Sequence, residues 1–135
     1  MWGERARTLL KENGYKLTPQ RLKLITVLEE IGKKHPSITE ILEEVRRDFP
    51  TISFSTLYSN LLILHDLGLI ELFPLKGETR VEVNMEPHIN IIEGEEVVDL
   101  KDPEIIELIT RKTGKKVKLV NVLVDSSQST SRLKS

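Results

Sequence analysis

Apolar residues recur every three to four positions up to Gly68, and in the stretch that follows it they recur at every second position. The first period is that of helices with one buried face; the second is that of strands. Residues 3 to 13 place Ala6, Leu9 and Leu10 on one side and stop at Gly14, which predicts a short first helix. In "KLTPQRLKLITVLEEIGKKH", Thr18 is a cap and Pro19 suits the first turn. Leu22, Ile25, Leu28 and Ile31 fall on one face. "HPSITEILEEVRRDFP" gives a third helix: Ser37 and Glu40 have capping-box spacing, Ile38, Ile41, Leu42 and Val45 form the stripe, and Pro50 closes it. Ser53 caps a fourth, lined by Leu57, Leu61 and Leu64 and ended at Gly68.

Beyond Gly68, "LIELF", a turn "PLKGE" and "TRVEVN" predict a hairpin in which Val81 and Val83 alternate with Arg80 and Glu82. Helices followed by a two-stranded hairpin form the winged variant of the helix-turn-helix. The aperiodic "NMEP" marks a boundary at Pro87. A second lobe follows: "HINII", a turn near Glu93 and Gly94, "EEVVDL", a helix capped by Asp102 with Pro103 at its start, and a strand "KKVKLVNVLVD" after Gly114. The expected fold class is α+β. It comprises a winged helix-turn-helix DNA-binding domain over 1–84, a hinge at 85–87, an α/β dimerisation domain over 88–125 with one free sheet edge, and a disordered polar tail over 126–135.

A chain of 135 residues with 39% hydrophobic content holds one compact domain or two small ones. Small lobes are marginal alone, so dimerisation is expected. The net charge of −1 means that any basic surface must come from local arrangement. The absence of cysteine excludes disulfides, thiolate zinc sites and cysteine nucleophiles, which leaves histidines and carboxylates for a metal. No apolar run approaches the ~18 residues of a membrane span, and "MWGERARTLL" lacks a signal core, so a cytoplasmic location without membrane partners is expected.

The fourth helix opens with Ser55, Thr56, Tyr58, Ser59 and Asn60, which offer hydrogen-bonding groups and no charge. In a helix-turn-helix the second helix of the motif presents such residues to base edges and phosphates of double-stranded DNA. Lys16, Arg21, Lys23 and the wing residue Lys76 supply positive charge, while Glu43, Glu44 and Asp48 must then face away. The competing reading leaves the polar turn merely solvated.

The segments "GYKLTPQRLKLITVLEE", "HPSITEILEEV" and "TISFSTLYSNLLILHDLGLIEL" together resemble the ferric uptake regulator family of metal-dependent and peroxide-responsive repressors. The resemblance spans roughly residues 5 to 125 and implies a homodimer with an N-terminal winged helix and a C-terminal dimerisation lobe. It implies that Tyr58 enters the DNA groove with Ser55, Thr56 and Arg21 nearby; Ser59 stands where the family usually carries arginine. It also implies a divalent metal (Fe²⁺, Mn²⁺ or Zn²⁺) between the two domains on His35, Glu82, His88, Asn90 and Asp99. Asn90 replaces the second histidine of the family's His-x-His, an exchange of imidazole for a weaker carbonyl oxygen. The family's structural-zinc cysteines are absent, and the turn at Glu93 to Glu96 stands where their first pair would lie. Considered singly, His35 also reads as a helix entrance and His88 as a strand end, and His65 reads as a surface residue beside Asp66.

The expected function is a homodimeric, sequence-specific transcriptional regulator controlled by a divalent metal. The alternatives are a metal-independent winged-helix regulator with a degenerate sensor, a protein-binding winged helix and a hydrolytic metalloenzyme. The last is disfavoured because neither a nucleophile elbow nor a phosphate loop is present.

Overall fold

A computed structural model describes residues 1–125; the tail expected at 126–135 lies outside the described residues. The chain divides into two compact units, Met1–Met85 and the residues from Glu86 onward.

The first unit begins with α1 (Trp2–Glu12), α2 (Pro19–Ile31), a single 3₁₀ turn (Gly32–Lys34), α3 (Ile38–Arg46) and α4 (Phe54–Asp66). Each of the last three helices starts on a side-chain cap. Thr18 accepts from the Arg21 N–H, Ser37 and Glu40 form a reciprocal capping box, and Ser53 accepts from the Thr56 N–H. These bonds satisfy donors that every helix leaves open at its first turn. The predicted stripes of α3 and α4 are buried. That of α2 is displaced: Leu24, Ile25, Val27 and Leu28 are buried, Leu22 is 38% exposed and Ile31 only partly covered. Because α2 packs against both α1 and α3, it buries a wider face, turned away from Leu22.

Strands β1 (Glu71–Leu75) and β2 (Glu78–Glu82) form the wing. Its turn is shorter than the expected "PLKGE". Pro74 and Leu75 pair with Thr79 and Glu78, leaving Lys76 and Gly77 at the bend with φ of 49° and 78°. Two successive left-handed residues are what a two-residue hairpin of strand-matching twist requires. Pro74 is tolerated because β1 is an outer strand, while β2 is flanked on its other side by the Pro36–Ser37 segment through a Ser37–Arg80 bridge and a Val81 N–H to Pro36 carbonyl bond of 2.9 Å.

Val81 and Val83 alternate with Arg80 and Glu82 as expected. Leu72 and Val81 pack on the helical core. The opposite face carries Phe73, Arg80 and Glu82, and Phe73 and Glu82 are buried as well, so both faces of the wing are covered.

The second unit holds β3 (His88–Glu93), β4 (Glu96–Leu100), α5 (Pro103–Thr113) and β5 (Leu119–Leu123). The sheet order is β4-β3-β5, with β3 antiparallel to β4 and parallel to β5, so among the described residues both outer strands are edges, where one free edge was expected. The last strand is shorter than "KKVKLVNVLVD": pairing starts at Leu119 opposite His88, the first residue of β3, so the lysine-rich stretch before it has no ladder to join. Asp102 caps α5 and Gly114 closes it at φ 68°. Ile89 and Ile92 are buried, whereas α5 buries none of its residues. Among the described residues no helix is long and apolar enough to cross a membrane.

Candidate nucleic-acid interface and metal-ligand clusters

The starts of α2 and α4 flank a shallow depression of about 380 Å³ lined by Thr18, Gln20, Arg21, Ser55, Thr56, Ser59, Asn60 and Ile63. Five of the residues assigned to DNA from sequence thus meet in one place: Arg21, Ser55, Thr56, Ser59 and Asn60. Their arrangement is held from beneath. Arg21 donates through Nε to Asn60 Oδ1 and through Nη1 to the Lys16 carbonyl, both at 2.9 Å, and its guanidinium lies 5.4 Å from the Tyr15 ring centroid. Asn60 in turn donates to the Thr56 carbonyl at 3.1 Å. The Ser53 hydroxyl reaches Thr56 Oγ1 at 3.0 Å while it caps the helix.

The other assigned residues lie elsewhere. Lys16 is exposed on the loop before α2 and Lys76 sits at the wing tip. Tyr58 is half-buried against the helical core and stacks on Phe54, with centroids 5.9 Å apart and planes 11° from parallel. Lys23 is paired with the exposed Asp48 at 2.9 Å. Gln20 was missed by sequence reasoning. Its signal was its place in the first turn of α2, directly after the Thr18 cap and Pro19.

Within the first unit, His35 and Glu82 are buried and face each other, Nε2 to Oε1, at 3.1 Å. That distance makes the two side chains hydrogen-bonded partners, and it is also close to the roughly 3.0–3.4 Å between ligands that share one divalent ion at ~2.1 Å. Several contacts fix it. His35 has left-handed backbone angles (φ 53°, ψ 58°) at the end of the 3₁₀ turn, its carbonyl accepts from Arg80 Nη1 at 3.1 Å, and its ring meets Phe73 edge-on at 5.9 Å. A non-glycine residue in that conformation carries strain that its surroundings must hold in place. Glu82 accepts from the Asn84 N–H at 3.1 Å.

Within the second unit, register places Asn90 opposite both Asp99 and Asn121, so these three side chains share one sheet face with His88. His88 is buried, its Nδ1 lies 2.7 Å from the Glu86 carbonyl, and its Nε2 is 4.0 Å from Asp99 Oδ1. A backbone carbonyl on Nδ1 favours the tautomer that leaves Nε2 as the donor to a metal. Asn90 donates from Nδ2 to Asn121 Oδ1 at 3.2 Å. His65, by contrast, bonds Glu71 at 2.8 Å and approaches Asp66 at 3.5 Å, which makes it a link between α4 and β1. Imidazole and carboxylate, which each unit offers in its own cluster, are donor types suited to Mn²⁺, Fe²⁺ or Zn²⁺.

The profile of the ferric uptake regulator family matches residues 12–126. A ferric uptake regulation protein homolog of Archaeoglobus fulgidus is 58% identical over 125 residues, covering 93% of this chain and 98% of that protein. The chain belongs to the ferric uptake regulator family. A peroxide-responsive repressor of Staphylococcus saprophyticus is 31% identical over 104 residues, covering 75% of this chain and 70% of its own. Among solved structures, the Helicobacter pylori ferric uptake regulator, described as having three functional metal binding sites, matches with a TM-score of 0.70 at 27% identity, covering 95% of this chain and 92% of that one. This ferric uptake regulator family member is a DNA-binding transcriptional regulator. Its sequence has no cysteine at all, so a thiolate-bound zinc is excluded and any metal rests on nitrogen and oxygen donors.

Proposed function

We propose that the protein is a homodimeric regulator that binds a two-part operator through the α2–α4 depression and tightens on it when a divalent metal is bound. The depression carries the reading. It gathers hydroxyl and amide groups with one fixed guanidinium at the start of the fourth helix, a surface that can approach a polyanion and still discriminate base edges. Lys16 and Lys76 would add phosphate contacts and salt dependence, and the wing tip is a natural place for one of them.

The same reading assigns one metal to His35, Glu82, His88 and Asp99, with Asn90 contributing its carbonyl oxygen. Two observations support it: the spacing of His35 and Glu82 within the first unit, and the shared sheet face of His88, Asn90 and Asp99 within the second. A metal held by ligands from both units would restrain one relative to the other, which sets the spacing of two recognition helices in a dimer. The Asn90–Asn121 bond favours a second version, in which Asn90 is a sheet residue and DNA binding is independent of metal.

Dimerisation is assigned to the second unit. Val98, Leu100, Ile105, Leu108, Val122 and Leu123 remain 37–76% exposed there, an apolar surface larger than a small lobe leaves bare without a partner. The test is fluorescence anisotropy on a duplex selected from a random pool, at fixed salt, in chelator and then with Mn²⁺, Fe²⁺ or Zn²⁺. Tightening by one metal supports the sensor. Equal affinity in chelator leaves the metal-independent version, and failure to select any duplex rejects DNA binding through this surface.

A further inference from the structure

We propose that Phe54 reads thymine in the operator, by packing its ring against the 5-methyl group in the major groove. The inference rests on the reading of α4 as the helix that enters DNA. Phe54 is the first residue of α4 and is 50% exposed, directly after the Ser53 cap and beside Ser55 and Thr56. It is the apolar exception in a polar turn. One face of the ring is covered by Tyr58 and the rest is left in water.

Its geometry is fixed. The ring lies nearly parallel to Tyr58, one helical turn further on, and Tyr58 is itself held against the core cluster. The two rings therefore form an apolar ledge on α4 that lies outside the lining of the depression, with Ser55 and Ser59 the residues that follow them in sequence. A phenyl ring offers neither donor nor acceptor, so it adds nothing to phosphate or to polar base edges. Of the groups displayed in the major groove, the thymine methyl is the one that an apolar side chain recognises. Polar neighbours that read edges and an aromatic that reads a methyl would divide the work of discrimination along one helix turn.

The experiment uses the full-length protein and its selected duplex, with each thymine replaced in turn by deoxyuridine. That exchange removes the methyl and leaves base pairing and every hydrogen-bonding group unchanged. For the wild type, one or two positions per half-site should lose affinity about 4-fold, the scale of one buried methyl group. Phe54→Ala should bind thymine and deoxyuridine duplexes alike at those positions, at the wild type's deoxyuridine level. Phe54→Leu, which keeps an apolar contact, should retain part of the preference, and thermal melting of both variants verifies that they fold. If the wild type is indifferent to every replacement, or Phe54→Ala keeps the full preference, the inference fails while DNA binding by α4 stands. If the wild type selects no duplex at all, the parent reading fails and takes the inference with it.

Discussion

The Nε of Arg21 donates to Asn60 Oδ1 across 2.9 Å, so the first turn of α2 and the second turn of α4 are tied by a charged hydrogen bond at the floor of the depression. Arg21 was expected from sequence as a phosphate cation. Its fork is instead divided between Asn60 and the Lys16 carbonyl, and its flat face lies over Tyr15. It is therefore a positioning residue as much as a charge. Arginine's planar fork is what permits this, and lysine cannot reproduce it.

Arg21→Lys should consequently weaken operator binding by about 10-fold while leaving the slope of affinity against salt close to that of the wild type, because the charge count is kept. Asn60→Ala should weaken binding comparably, and the double variant should be less than additive. Anisotropy titrations at several salt concentrations measure both quantities. Wild-type affinity in Arg21→Lys would mean that charge alone matters there.

Gly32 bears on the His35–Glu82 pair. A methyl group placed on it would stand 2.9 Å from both γ-carbons of Val83, and valine's branched side chain has little room to turn away. Gly32 opens the 3₁₀ turn that ends at His35, so the close approach to Val83 helps to set where that imidazole lies. Gly32→Ala should destabilise the protein by about 1–3 kcal/mol and weaken metal binding. Adding Val83→Ala should restore part of both. Melting temperatures and calorimetric titrations of the single and double variants test it; an unchanged single variant would show that the turn adjusts freely.

The ligand set yields a third prediction. His88→Ala should abolish the metal response of DNA binding without unfolding the protein, since its ring, though buried, sits at the start of β3 and outside the helical core cluster. Asn90→His should tighten binding of Zn²⁺ by about 10-fold or more, since an imidazole replaces an amide oxygen. Isothermal titration with each metal reads both. Unchanged affinity in Asn90→His would assign that position to the sheet, through Asn121.

Most of the helices were legible because each carries its own punctuation: Thr18, Ser37 and Ser53 cap as the sequence indicated, and Gly68 and Gly114 stop helices with left-handed backbone angles. Strand positions were harder to assign to a face. Alternation separates Glu82 from Val81 but does not say whether its side is wet, and Phe73, with His35 against it, covers that side of the wing. The displaced stripe of α2 has a similar cause, as a helix packed on two neighbours no longer obeys a single narrow period. Residue type and helix position picked out five of the side chains that line the depression, but the bond that holds Arg21 to Asn60 joins positions 39 apart, and no local pattern encodes it.

The apolar surface of the second unit leads to the final prediction. Val98 is 60% exposed on β4, and its register partner is Ile91, so it lies on the face opposite to Asp99 and Asn90. Leu108 on α5 is 45% exposed. A charge at either place should oppose burial against a second copy and leave the ligand face untouched. Val98→Glu with Leu108→Glu should convert the dimer to a monomer by light scattering. The wild type's melting temperature should rise with protein concentration and that of the variant should not, because association stabilises only a species that dimerises. Operator affinity should fall steeply, since one recognition helix alone engages one half-site. A double variant that stays dimeric would move the interface to the sheet edges, where β5 and its exposed Leu123 would be the next segment to alter.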